Sequence, residues 1–171
     1  LDAFLAGSIF APCSLGFVAT SLAAPRLVAR WGMGAIVAGS VAYALSIALL
    51  VAQVRGAGAG LQAAQLIPLL IVLGAGQGLI MTPLLNLVLG WVPASQAGMA
   101  SGVMATLQQI GAALGVAVVG MLFGAALAAD SAAAQAGRYS AAFVAGMGYN
   151  LAAALLVCVL LWLLPRSPAA R

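Results

Sequence analysis

The sequence predicts an all-α integral membrane protein, a helical bundle of five transmembrane helices, and three observations carry that prediction. Hydrophobic residues make up 65% of the 171 residues and charged ones only 5%, against about a quarter charged in an ordinary soluble domain. Apolar stretches recur at the length of about 20 residues that a bilayer core requires. The segments joining them are too short to be soluble domains, and the six arginines are scattered singly among them.

The first apolar stretch, residues 3–24, carries Pro12 and Gly16 about midway and is expected to bend there. It leads into "PRLVARWGMG", read as a cytoplasmic loop with Arg26, Arg30 and Gly32. The second stretch, 35–54, is mostly Ala, Val, Leu and Ile with Ser40, Tyr43 and Ser46, and reads as an outer, lipid-facing helix. After the glycine-rich "RGAGAGLQAA" comes the third, 65–91, with Gly74, Gly76 and Gly78 beside Gln77, Met81, Thr82 and Asn86. Pro83 cannot donate to the Leu79 carbonyl, so a second bend is expected there. Such a bend lets two helix halves move separately, although proline is also frequent in membrane helices without that role.

The fourth stretch, 97–125, follows the short turn "VPASQ". At 100° per residue, Val103, Leu107, Ile110, Leu114 and Met121 form one apolar stripe, expected to face lipid. Across from it lie Gly98, Ser101, Gly102, Ala105, Gln109, Ala112 and Gly120. Gly98–Gly102, Gly111–Gly115 and Gly120–Gly124 each match the small-xxx-small pattern by which membrane helices approach closely. Gln108 lies toward the flank. Gln109 points to the small-residue side, where an unpaired carboxamide costs several kcal/mol in an apolar medium. It therefore needs a helix, a water or a substrate as partner. Counting about 1.5 Å per residue, Gln77 lies about 21 Å from Trp91 and Gln109 about 18 Å from Ala97, which puts both near the bilayer midplane. Secondary transporters place substrate there; the plainer reading is that the two glutamines hold helices together at about 0.6–2 kcal/mol each. The fifth stretch, 141–164, with Asn150, reads as a second outer helix.

Alternation of these spans sets Arg26, Arg30, Arg166 and Arg171 on one side and Arg55, Arg138 and Asp130 on the other. The richer side is cytoplasmic by the positive-inside rule, which puts the C-terminus inside, residue 1 outside, and Trp31, Trp91 and Trp162 at cytoplasmic ends. Scattered arginines do not make a nucleic-acid surface. Cys13 and Cys158 fall in apolar runs, without a CxxC or any histidine, so neither a disulfide framework nor a metal site is indicated and both read as packing residues. Enzymatic acid–base work needs titratable groups; here there is no His or Glu, the acids Asp2 and Asp130 sit at span ends, and Ser101 has no base to activate it. The chain begins at Leu1 without a cleavable leader, and five spans read as six with the first missing, part of a longer protein built from three-helix repeats.

"AGSIFAPCSLGFVATSLAAPRLVARWG" and "GAGQGLIMTPLLNLVLGWVPASQAGMASGVMATLQQIGAALGVAVVG" resemble the C-terminal half of a major facilitator superfamily transporter, in particular the fourteen-helix drug:proton antiporters of the EmrB/QacA type. The resemblance covers nearly the whole chain. It implies that the five spans are the last five of fourteen, within the C-terminal six-helix domain, and that the missing N-terminal half is the main partner. It further implies export of small hydrophobic or cationic molecules across the bacterial inner membrane, driven by a proton gradient and without a bound cofactor. Gln77, Met81, Thr82, Asn86, Gln108 and Gln109 become cavity candidates; Gly74, Gly78, Gly98, Gly102, Gly111, Gly115 and Gly120 become helix-packing positions. This chain departs from the pattern at Pro25, where an acidic residue is expected, and at Gln108, where relatives often carry Arg. Arg26 and Arg30 then latch the loop to a helix end or to lipid phosphates, or serve only as topology signals. A competing reading is a non-transporting five-helix scaffold that binds partner helices through its glycine faces.

Overall fold

The computed structural model describes residues 10–57, 63–129 and 135–163. Five long helices run through them: α1 (Ala11–Trp31), α2 (Met33–Ala57), α3 (Ala63–Gly90), α4 (Ala97–Ala129) and α5 (Gln135–Leu163), with a short 3-10 turn at Ala94–Gln96 before α4. Each is long and apolar enough to cross a bilayer. No strand occurs among the described residues, so the fold class is an all-α helical bundle. Residues 3–9 of the first expected span, and Asp2, Asp130, Arg166 and Arg171, lie outside the described residues.

The helices outrun the apolar stretches that announce them. α1 continues through Pro25 to Trp31, so most of the expected loop "PRLVARWGMG" is helical. Pro25 removes one N–H, the donor to the Ser21 carbonyl, and its ring fixes a φ that a helix accepts. Arg26 and Arg30 in the last turns are exposed. α1 stops at Gly32, whose φ of 56° and ψ of −136° belong to glycine alone; its N–H donates to the Val28 carbonyl at 2.7 Å. Pro12 is the proline nearest the start of the described residues. It stands in the first turn of α1, where its missing N–H has no intrahelical acceptor. Among the described residues, the prolines inside helices are Pro25, Pro68 and Pro83.

A correction concerns α2. Expected as an outer helix, it has the largest buried share of the five, 44% of its apolar window. Ala35, Ile36, Ser40, Ala44, Ser46 and Ile47 are all buried. Both serines close their hydroxyls on their own helix, Ser40 to the Ile36 carbonyl at 3.0 Å and Ser46 to that of Tyr43 at 2.7 Å. A serine that bonds its own backbone is as compatible with an apolar interior as alanine, so serine content did not identify the solvent side.

The chain divides into two compact units, and the division falls within α2, α3 and α5. The first holds α1, α2 to Leu50, α3 from its start to Pro83, and α5 from Leu151. Here α3 packs between α1 and α2 through alternate glycines. Gly74 and Gly78 are one turn apart and meet α1: a Cβ on Gly74 would strike the Cys13 carbonyl, and one on Gly78 would lie 2.5 Å from the Phe17 carbonyl oxygen. Gly76 is about 200° round from Gly74 and meets α2, with the Gly39 carbonyl 2.7 Å and the Tyr43 nitrogen 2.8 Å from where its Cβ would stand. Without a hydrophobic drive between helices in lipid, such close approach supplies the attraction.

The second unit holds Val51 to the end of α2, α3 beyond Pro83, α4, and α5 to Asn150. α4 and the first half of α5 form a hairpin. Gly146 is buried against Val119, the rings of Phe123 and Tyr139 lie 6.5 Å apart at 43°, and Arg138 reaches across to α4. Gly115, Val119, Phe123 and Ala126 are half-buried on this contact arc. The stripe Val103, Leu107, Ile110, Leu114 and Met121 lies on the other side and is exposed throughout.

Candidate functional site

The polar residues singled out by sequence stand on α3 and α4. On α3, Gln77 and Met81 are one turn apart, share a face and are exposed, whereas Thr82 is half-buried. The glycines explain why that face is free. Gly74 and Gly78 turn one side of α3 to α1 and Gly76 turns the other to α2, so Gln77, between Gly76 and Gly78, is left pointing to neither. Met81 adds a flexible, polarizable side chain beside the carboxamide. Gln77, Met81 and Thr82 belong to the first unit; Asn86, Gln108 and Gln109, all exposed, belong to the second. No side-chain hydrogen bond from Gln77, Asn86, Gln108 or Gln109 forms among the described residues.

The expected packing glycines fall into two groups. Gly74 and Gly78 are buried in backbone-to-backbone contact, while Gly98, Gly102, Gly111, Gly115 and Gly120 have nothing within 4 Å of where a Cβ would stand. None of α4's apolar window is buried, and this long small-residue helix presents open carboxamides and open glycines together. Its hydroxyls turn inward on the helix, Ser101 to the Ala97 carbonyl at 2.7 Å and Thr106 to that of Gly102 at 3.0 Å. Arg26 and Arg30 are exposed near the end of α1, and Gly32 makes the turn that follows. Pro83 is buried, at the end of the part of α3 assigned to the first unit.

Two contacts were missed by sequence reasoning. Thr20 Oγ1 lies 2.9 Å from the Gly16 carbonyl, 3.3 Å from that of Phe17 and 2.9 Å from that of Ala75 on α3. One hydroxyl proton is thus shared between its own helix and a neighbour. Ser21 beside it has a buried hydroxyl with no partner among the described residues. A threonine within an apolar run gives no sign of which helix it will bridge to. The other contact is Arg138, whose Nε and Nη2 donate to the Leu127 carbonyl at 3.2 and 2.5 Å. Leu127 is in the last turn of α4, where carbonyls lack helical donors and a cation meets the negative end of the helix dipole. A basic residue just inside the start of the next helix was the available signal. Among the described residues there is no group of three His, Cys, Asp or Glu side chains that could hold a metal ion.

The chain is 34% identical over 160 residues to the puromycin resistance protein of Streptomyces alboniger, an alignment covering 92% of this chain and 31% of that protein. It is 35% identical over 97 residues to the probable actinorhodin transporter of Streptomyces coelicolor, covering 57% of this chain and 17% of that protein. A further 56 residues are 43% identical to the multidrug resistance protein Stp of Mycobacterium tuberculosis, 33% of this chain and 10% of that one. The aligned stretches span less than a third of the length of each of these curated relatives. No protein-family model and no solved structure matches the sequence. Five apolar helices and relatives named as transporter and resistance proteins make the chain a multi-pass membrane protein related to drug transporters.

Proposed function

We propose that this chain is the C-terminal part of a proton-coupled multidrug efflux transporter of the major facilitator superfamily, in the fourteen-helix branch, which exports hydrophobic or cationic small molecules across the bacterial inner membrane. The similarity to the puromycin resistance protein over 92% of the chain carries this reading. The geometry supports it by leaving Gln77 and Met81 outward on α3, between two glycine-packed neighbours, as adaptable contacts for substrate. Thr82 in the same unit, and Asn86, Gln108 and Gln109 in the other, are further candidates for substrate contact, each within its own unit, and the N-terminal half of the same transporter supplies the rest of the substrate path. That half also supplies the carboxylates for proton coupling, because an intramembrane acid is what carries a proton in such carriers and this chain's two acids, Asp2 and Asp130, lie at span ends. The C-terminus is cytoplasmic and residue 1 external, by the arginine distribution.

Substitution of Gln77 and of Gln109 by Leu in the intact gene, expressed in a drug-sensitive host, tests each proposed substrate contact separately. A role in substrate contact changes resistance unequally across drugs, with expression unchanged. Equal resistance to every drug for both variants rejects it. The open glycines of α4 favour a second reading, a five-helix scaffold that docks partner helices. An in-frame upstream continuation encoding further spans supports the transporter, and a start codon immediately before Leu1 supports the scaffold.

A further inference from the structure

We propose that the outward face of α1 binds an anionic phospholipid, with its phosphate held by Arg26 and Arg30 and an acyl chain lying along Leu15, Val18 and Leu22. The inner face of α1 is fixed by Gly16, Thr20 and Ala24, which are buried or half-buried, the first two against α3. In steps of three, four, four and four, Leu15, Val18, Leu22, Arg26 and Arg30 fall within one arc of about 120° that excludes Gly16, Thr20 and Ala24. Leu15, Val18 and Leu22 are 70%, 53% and 73% exposed, and both arginines are exposed.

The order along this face is that of a lipid laid against a helix. An apolar strip about 10 Å long comes first, then two arginines one turn apart, about 6 Å along the helix axis, at the end of the span. Trp31, 58% exposed, closes the helix at the depth where indole rings favour the headgroup layer. The charge calls for an anion. The sequence has only two acidic side chains, Asp2 and Asp130, and neither is among the described residues. Arg138 is engaged with the Leu127 carbonyl, and Arg55 stands alone near the end of α2. Among the described arginines only Arg26 and Arg30 stand one turn apart on one face, where like charges repel and a phosphate between them converts repulsion into charge-assisted hydrogen bonds. A free phosphate would use the arginines alone; the exposed apolar strip selects a ligand with a chain.

The intact protein, expressed from the full gene and purified, is titrated in detergent with phosphatidylglycerol or with phosphatidylcholine of the same acyl chains, and bound lipid is counted by native mass spectrometry. Phosphatidylglycerol is expected to bind more tightly, with about a fivefold loss for Arg26→Gln or Arg30→Gln singly and roughly the product for both. Arg55→Gln should leave the preference intact, Arg26→Lys with Arg30→Lys should retain most of it, and Leu22→Ser should weaken phosphatidylglycerol binding. Excess inorganic phosphate should fail to displace the lipid. Equal binding of the two lipids by the unmodified chain overturns the proposal without reference to any variant. So does displacement by phosphate, which would reveal a free-anion site, or an Arg55→Gln loss as large as that at Arg26.

Discussion

Alanine at Gly78 tests whether the α3 seam is held by backbone contact. A Cβ there would stand 2.5 Å from both the Phe17 carbonyl oxygen and Thr20 Oγ1, and 2.9 Å from Ser21 Oγ. Ordinary contact begins at 3.4 Å, so the added methyl pushes α1 and α3 apart by about 0.9 Å, enough to forfeit a quarter to a half of the dispersion well along the seam. The same shift takes the Thr20–Ala75 bond from 2.9 Å beyond the range of about 2.5–3.0 Å in which hydroxyl donors bond well. Overpacking costs about 1–3 kcal/mol and the interhelical bond about 0.6 kcal/mol. Alanine's better helix propensity returns at most about 1 kcal/mol. With the full propensity return, the net expectation is a loss of about 0.6–2.6 kcal/mol on these magnitudes. The assay is unfolding of the purified chain by dodecyl sulfate in mixed micelles, followed by circular dichroism. Gly102→Ala is the control, because nothing lies within 4 Å of its Cβ position; it should be neutral or stabilise by up to about 1 kcal/mol. A Gly78→Ala chain as stable as the parent, beside a destabilised Gly102→Ala chain, refutes the reasoning.

Three further outcomes follow from single contacts. Gly32→Ala places a side chain at φ 56° and should destabilise the chain by about 1–3 kcal/mol in the same unfolding assay. Thr20→Val keeps the shape and deletes the bond to Ala75, with an expected loss of about 0.6 kcal/mol, whereas Thr20→Ser should stay close to the parent. Arg138→Gln removes the cation and the paired donation to Leu127; about 0.3–1 kcal/mol should be lost, and amide exchange should quicken in the last turn of α4 before it changes elsewhere.

The number and nature of the helices were legible because the bilayer sets a length and an apolarity that the sequence states directly. Helix ends were less legible: "PRLVAR" looks like a loop when a span is defined by apolarity, yet backbone hydrogen bonding continues past the apolar run and α1 reaches Trp31. The burial of α2 was misjudged because composition cannot distinguish a serine facing a neighbour from one facing outward, and Ser40 and Ser46 bond only their own turns. On α3, alternate glycines were visible as a pattern. That they serve two opposite neighbours, with Gln77 left between, follows from 100° of rotation per residue only once the neighbours are known. For the candidate site, residue types were legible and partners were not. Gln77 and Gln109 stand out as carboxamides in apolar helices, whereas Thr20 reaching Ala75 and Arg138 reaching Leu127 depend on which turns face each other.

The proposed transport is read directly as efflux of a preloaded cationic dye from energised cells of a drug-sensitive host expressing the intact gene. A proton-coupled exporter gives faster dye loss than in cells with the empty vector, an advantage abolished by a protonophore. Dye loss at the empty-vector rate, with the protein present in the membrane, would contradict it.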